Sequence, residues 1–134
     1  MRNRAETIEF INQEVTFAIH LAESDEIFRE GKTIEAYQIV CFYEEWLSML
    51  LDANTVEGGI ARAGAIRAAM QAGQGKRAID MAEAFLREDE LSSSRRREIQ
   101  GLLNTAKDVV SLANEVANLK EVAAAKKAAS TTNV

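Results

Sequence analysis

Proton transfer, metal ligation and thiol chemistry need histidines, cysteines and carboxylates at set spacings. This chain of 134 residues holds one histidine, His20, and one cysteine, Cys41. One histidine cannot supply the paired Glu-x-x-His ligands of a di-iron bundle. His20 reads instead as a neutral side chain on a helix face. Cys41, between Val40 and Phe42, reads as an inert buried thiol rather than a nucleophile. A lone cysteine excludes an internal disulfide framework and a Cys-based zinc site. Glu44 and Glu45 are adjacent, so on a helix they point about 100° apart and share neither a proton nor a ligand. Solvated charge is their expected state.

Three further stretches invite chemistry. DANTVEGG, from Asp52 to Gly59, begins like a calcium loop, with Asp52 and Asn54 two apart. Its fifth position is Val56 and its twelfth is Ala63 where glutamate is needed, so it is not one. QAGQGKRA places Gly73, Gly75 and Lys76 before a helix. The spacing does not fit a phosphate loop, and no strand precedes it. Arg95, Arg96 and Arg97 form the one basic cluster. Three consecutive helical residues fan over about 200° and give no single basic face. An acidic chain with one such triplet and no interleaved aromatics is a poor nucleic-acid binder. The triplet is expected at a solvated helix start, with an acidic partner, or the acidic half of another copy, as its second use. The residues thus point to no enzyme, no metal and no cofactor.

The elements that carry these residues are helical. Proline is absent, which removes the commonest helix breaker. The length fits one domain with a core of its own. The N-terminal MRNRAETIEF lacks the apolar run of a signal peptide, and no run of about 18 apolar residues exists, so a cytoplasmic protein is expected. The net charge of −5 is uneven. Residues 1–58 carry four basic and twelve acidic side chains, and residues 59–134 carry twelve basic and nine acidic. The halves read as solvated helix faces; if they pair between copies, they favour an antiparallel or head-to-tail arrangement.

Ile8, Ile11, Val15, Ile19 and Ala22 repeat at helical spacing. They predict a first helix from about Ala5 to Glu30, with a weak point at Ser24-Asp25 and a C-terminal glycine at Gly31. Thr33 is the expected N-cap of a second helix reaching about Leu51. Its broad apolar face marks it as the most buried helix. Seven of the eight aromatics lie at or before Trp46, which predicts a heavy core in these two helices, with Tyr43 and Trp46 inside. Asp52–Gly59 is the expected loop. An alanine-rich helix follows from Ile60 to Ala72, then an amphipathic one from Lys76 to Glu88. After the break EDELSSS, with a serine as cap, one long helix runs to about Ala129. The prediction is an all-α chain of about five helices: two antiparallel helical hairpins followed by a long C-terminal helix. Residues 1–122 form one domain and 123–134 a frayed or disordered tail.

One skeleton occurs twice. Gly31, Ala36, Ile39 and Tyr43 recur 42 residues later as Gly73, Ala78, Met81 and Phe85. A glycine ends one helix, a small residue lets the next come close, and larger residues fill the space where the two diverge. The skeleton resembles the tetratricopeptide repeat over roughly residues 15–50 and 57–91, through the turn glycine and the small residue five positions on. The resemblance implies a peptide- or protein-binding helical scaffold. Two such repeats need a capping helix or a second chain to complete a core.

The long last helix carries Ile99, Leu102, Ala106, Val109, Ala113 and Val116 as a heptad-like seam. Beyond the reach of the hairpins it still holds Leu112, Val116, Leu119 and Val122. These four are the candidate partner-binding residues, with Arg95, Arg96 and Arg97 beside them. The sequence therefore reads as a non-catalytic protein–protein interaction module: an adaptor, chaperone-like or assembly factor that self-associates as a dimer or higher oligomer. The alternative is a small helical nucleic-acid-binding regulator that uses Arg95–Arg97.

Overall fold

A computed structural model describes residues 2–132 of the chain. Those residues form an all-α fold without strands. The six helices are α1 (Arg4–Ala22), α2 (Asp25–Arg29), α3 (Thr33–Leu50), α4 (Val56–Gln71), α5 (Gly75–Leu86) and α6 (Ser93–Thr132).

The sixth helix arises at the weak point in the first segment. The Ser24 hydroxyl accepts from the Ile27 amide and donates to the Leu21 carbonyl, so it ends α1 and caps α2 at once. At the other end of α1, the Asn3 side chain accepts from the Glu6 amide at 2.8 Å.

The repeated skeleton encodes one turn used twice. Gly31 has φ 70° and Gly73 has φ 73°. The Gly31 amide donates to the Phe28 carbonyl and the Lys32 amide to the Ile27 carbonyl. The Gly73 amide donates to the Met70 carbonyl and the Gln74 amide to the Ala69 carbonyl. Each set is a Schellman motif, which satisfies carbonyls that the helix end leaves free. The carbonyls of Lys32 and Gln74 then accept from Ala36 and Ala78, opening α3 and α5. The alanine five residues after the glycine is thus tied to the turn by hydrogen bonding and by burial. The same geometry corrects the expected cap. Lys32 is the N-cap of α3, Thr33 is already helical, and the Thr33 hydroxyl lies buried without a partner.

The loop after α3 is shorter than expected. Thr55 caps α4, accepting from the Gly58 amide at 3.0 Å and donating to the Asp52 carbonyl at 2.8 Å. Gly58 and Gly59, expected in the loop, belong to the first turn of α4. A Cβ at Gly58 would sit 1.9 Å from the Asp52 carbonyl oxygen, so the loop folds back onto a bare backbone.

The most buried helix is α4, not α3. Ala61, Ala63, Ala65, Ile66, Ala68 and Ala69 are all buried on it. It lies against α3 on one side and against α5 and α6 on the other. On α3, by contrast, Ile34, Ile39, Phe42 and Met49 face outward. The largest fully enclosed side chains are Ile11, Ile66, Ile99 and Cys41, contributed by four different helices. The aromatic-heavy core expected in the first two helices is therefore not present. Tyr43 and Trp46 are half-buried against a cluster of Ile11, Val15, Leu47 and Ala61, and Phe17, Phe28 and Phe42 are exposed.

A hairpin of α5 and α6 completes the stack. The Ser92 hydroxyl accepts from the Arg95 amide and starts α6. Ile99, Leu103 and Ala106 seat α6 on the core. From Ser111 to Ser130 every residue is exposed. At about 1.5 Å per residue this stretch is roughly 30 Å long. Past Ala113 and Asn114, which border the α4–α5 turn, it projects from the body. The helix continues through Thr132, across the tail expected to fray, whose residues 133 and 134 lie outside the described part.

A Cβ at Gly31 or Gly73 meets nothing within 4 Å, so a substitution there acts through the backbone alone. Gly73→Ala is expected to destabilise the chain by about 1 kcal/mol in urea denaturation, and Gly31→Ala similarly. A neutral or stabilising Gly73→Ala would show that the left-handed turn is not adopted in solution.

Candidate protein interface

The residues with catalytic potential are dispersed. His20 is exposed near the end of α1. Cys41 is fully buried, with its thiol donating to the Ala65 carbonyl at 3.6 Å. Burial raises its pKa, opposing thiolate formation. Among the described residues, no three His, Cys, Asp or Glu side chains gather where they could hold a metal.

Glu44 and Glu45 part company, and the expectation that both are solvated holds for neither. Glu45 is half-buried and pairs with Arg77 of α5. Glu44 is buried, 7 % exposed, and turned toward α4. Its carboxyl occupies the space left by Gly64, where a Cβ would lie 2.9 Å from it. Desolvation there pushes the pKa of Glu44 up to about 7.

The arginine triplet is divided by the structure. The Arg96 guanidinium donates to the carbonyls of Leu86 at 2.6 Å and Glu88 at 2.8 Å, where α5 ends. Arg95 crosses the bare backbone of Gly59 and pairs with Glu98, which also accepts from Arg67. Arg97 is exposed. The three do not form a common basic face. A fourth arginine was missed by sequence reasoning. Arg62 is 4 % exposed, and its guanidinium holds both Glu88 carboxylate oxygens, at 2.7 and 2.9 Å. It also donates to the carbonyls of Leu51 and Gly58. A charge inside the alanine stripe of α4 was the available signal, since a buried cation must find partners.

Apolar side chains reach the outer surface in several places, Phe42, Trp46 and Met49 on α3 among them, and two of these bear on association. A groove of about 280 Å³ runs between α1 and α3, lined by Phe17, Leu21, Ile39 and Tyr43 together with the charged Glu14, Lys32 and Glu35. The second place is the projecting half of α6. Leu112, Val116, Leu119 and Val122 are all at least 48 % exposed, and so is Val109. The single seam expected along α6 is in fact two faces. Ile99 and Ala106 face the core together with Leu103, whereas Val109 and Val116 face away from it. At about 100° per residue, Val109, Leu112, Val116 and Leu119 form one stripe. Val122 lies roughly 100° off its axis, and Ala123 continues it.

No family model, curated protein or solved structure matches this chain.

The carboxyl of Glu44 has a folded pKa of about 7 against an ordinary 4.5. Between these values the folded chain holds a proton that the unfolded chain releases. The stability contributed by this group is therefore complete below 4.5 and lost as pH rises through 7. Glu44→Gln keeps the neutral shape at every pH. Its unfolding free energy should vary less over that window and exceed the parent's by roughly 3 kcal/mol near pH 8. Superposable pH profiles for the two proteins would contradict the burial of an ionisable Glu44.

Proposed function

We propose that the protein is a non-catalytic helical interaction module that self-associates through the projecting half of α6, as an adaptor, chaperone-like or assembly factor. The observation that carries this reading is the exposed stripe of Val109, Leu112, Val116 and Leu119, which starts beside α5 and runs out along the projecting end of α6. Burying a valine or leucine side chain is worth about 1.5–3 kcal/mol. Left in water the stripe contributes no burial, so a partner helix supplies what the body does not.

Other features agree. The paired turns at Gly31 and Gly73 support a tetratricopeptide-like scaffold, with α6 as its cap. The α1–α3 groove offers an apolar bed with charged side chains of both signs to a protein segment. The alternative of nucleic-acid binding through Arg95–Arg97 has less support, because Arg95 and Arg96 are already committed to Glu98 and to the end of α5. A cytoplasmic setting goes with the same reading.

Sedimentation of the full chain, of a truncation after Asn118 and of Val116→Asp tests the proposal. The full chain should dimerise or assemble further at high micromolar concentration, and both variants should shift toward monomer. A full chain that stays monomeric would end the reading. An oligomer that survives both changes would place the interface on the hairpins.

A further inference from the structure

The stripe has a register. With Val109 at position a, Val116 is the next a, and Leu112 and Leu119 occupy d. β-branched residues at a and leucine at d are the pattern that favours two parallel strands. The flanks agree with it. Glu115 falls at g and Lys120 at e of the following heptad, five residues on. In a parallel in-register pair, g of one helix faces that e of the other, so Glu115 meets Lys120 of the second copy twice over, once on each side. An antiparallel pair sets g against g and e against e. The g positions hold Asp108, Glu115 and Val122 and the e positions Ala113, Lys120 and Lys127. That pairing forms no opposite-charge pair and sets like charges together wherever two charges meet.

The body leaves room for this partner. Ile99, Leu103 and Ala106 mark the face of α6 laid on the core. The stripe is centred about 130° around the helix from that face. Of the stripe only Val109 shares a surface hollow with the start of α5, at Gly75, Lys76 and Arg77. A second α6 can lie along Leu112, Val116 and Leu119 and meet α5 only at that end. Glu115 and Lys120 are themselves exposed on the projecting segment.

We propose that two copies of the chain join as a parallel, in-register two-stranded coiled coil over Val109–Ala123, with reciprocal Glu115–Lys120 pairs setting orientation and partner choice. The inference rests on the self-association reading above and adds its geometry. The globular bodies then sit at one end of the dimer, on opposite sides of the shared seam. This local pairing outweighs the head-to-tail arrangement suggested by the charge of the two halves, because exposed charges farther apart than about 10 Å are screened.

Two variants of the full chain test it. L119C places a thiol at d, where a parallel in-register pair brings the two copies together. Mild oxidation should give a disulfide-linked dimer on non-reducing gels, while the buried Cys41 remains unlinked. K120E replaces two attractive pairs with two repulsive ones and should weaken dimerisation roughly ten-fold in sedimentation equilibrium at low salt. Adding E115K to K120E should restore the parent affinity, which a merely structural defect would not allow. A dimer in which L119C fails to cross-link, or whose affinity ignores K120E, overturns the parallel register and leaves self-association standing, with the stripe docked elsewhere, such as the α1–α3 groove of the partner. A chain that is monomeric at high micromolar concentration overturns both.

Discussion

The close approach of α4 to its neighbours is the constraint on which the rest of this structure depends. Each alanine on α4 contributes little apolar area, so the helices gain contact only by coming near one another. Ala61, Ala65, Ala68 and Ala69 permit that approach, and Gly64 extends it to the point where the Glu44 carboxyl enters the gap. Larger side chains at these positions would overpack the joint. With α3 on one side of α4 and α5 and α6 on the other, the large side chains on the outward face of α3 have no place in this centre. Ile39 lines the α1–α3 groove instead, and Phe42 and Met49 line a separate hollow with Trp46.

Buried polarity is concentrated at the two sides of the same helix. Arg62 and Glu88 tie the start of α4 to the end of α5, and the Glu88 carbonyl accepts from Arg96 as α6 begins. Glu44 lies where α3 faces Gly64. A buried arginine with four of its five N–H donors engaged stabilises the joint only while every partner stays in place. A buried carboxyl with a pKa of about 7 makes the α3–α4 contact sensitive to pH near neutrality. The body is thus an alanine-packed stack with charged joints, and α6 is the element that outgrows it.

Local signals in the sequence were legible where one residue decides the conformation. Gly31 and Gly73 were readable because only glycine enters the left-handed region cheaply. Ser24 was readable as a weak point, and the structure turns it into a cap. Features set by distant contacts were not readable. Gly58 and Gly59 look like loop residues, and only the packing of the Asp52 carbonyl and Arg95 against them shows why they sit in a helix. Glu44 and Gly64 are on different helices, so their fit is invisible along the chain. The aromatic side chains suggested a core by their size, but the alanines of α4 decide where the core lies. On α6, a strict heptad count drifts about 20° per heptad against a straight helix. That drift is small. Leu103 takes the buried position, and beyond Ala106 no described residue of the helix is buried by the body, so the seated half and the projecting half present different faces.

The account stands or falls on the projecting half of α6 being an association surface and not a solvated spur. Amide hydrogen exchange along α6, measured from low to high micromolar protein, reports on this directly. The account predicts that amides from Ser111 to about Ala123 exchange freely in dilute solution and become protected as concentration rises, while Ile99–Ala106 stay protected throughout. Fast exchange of the projecting segment at every concentration would contradict it.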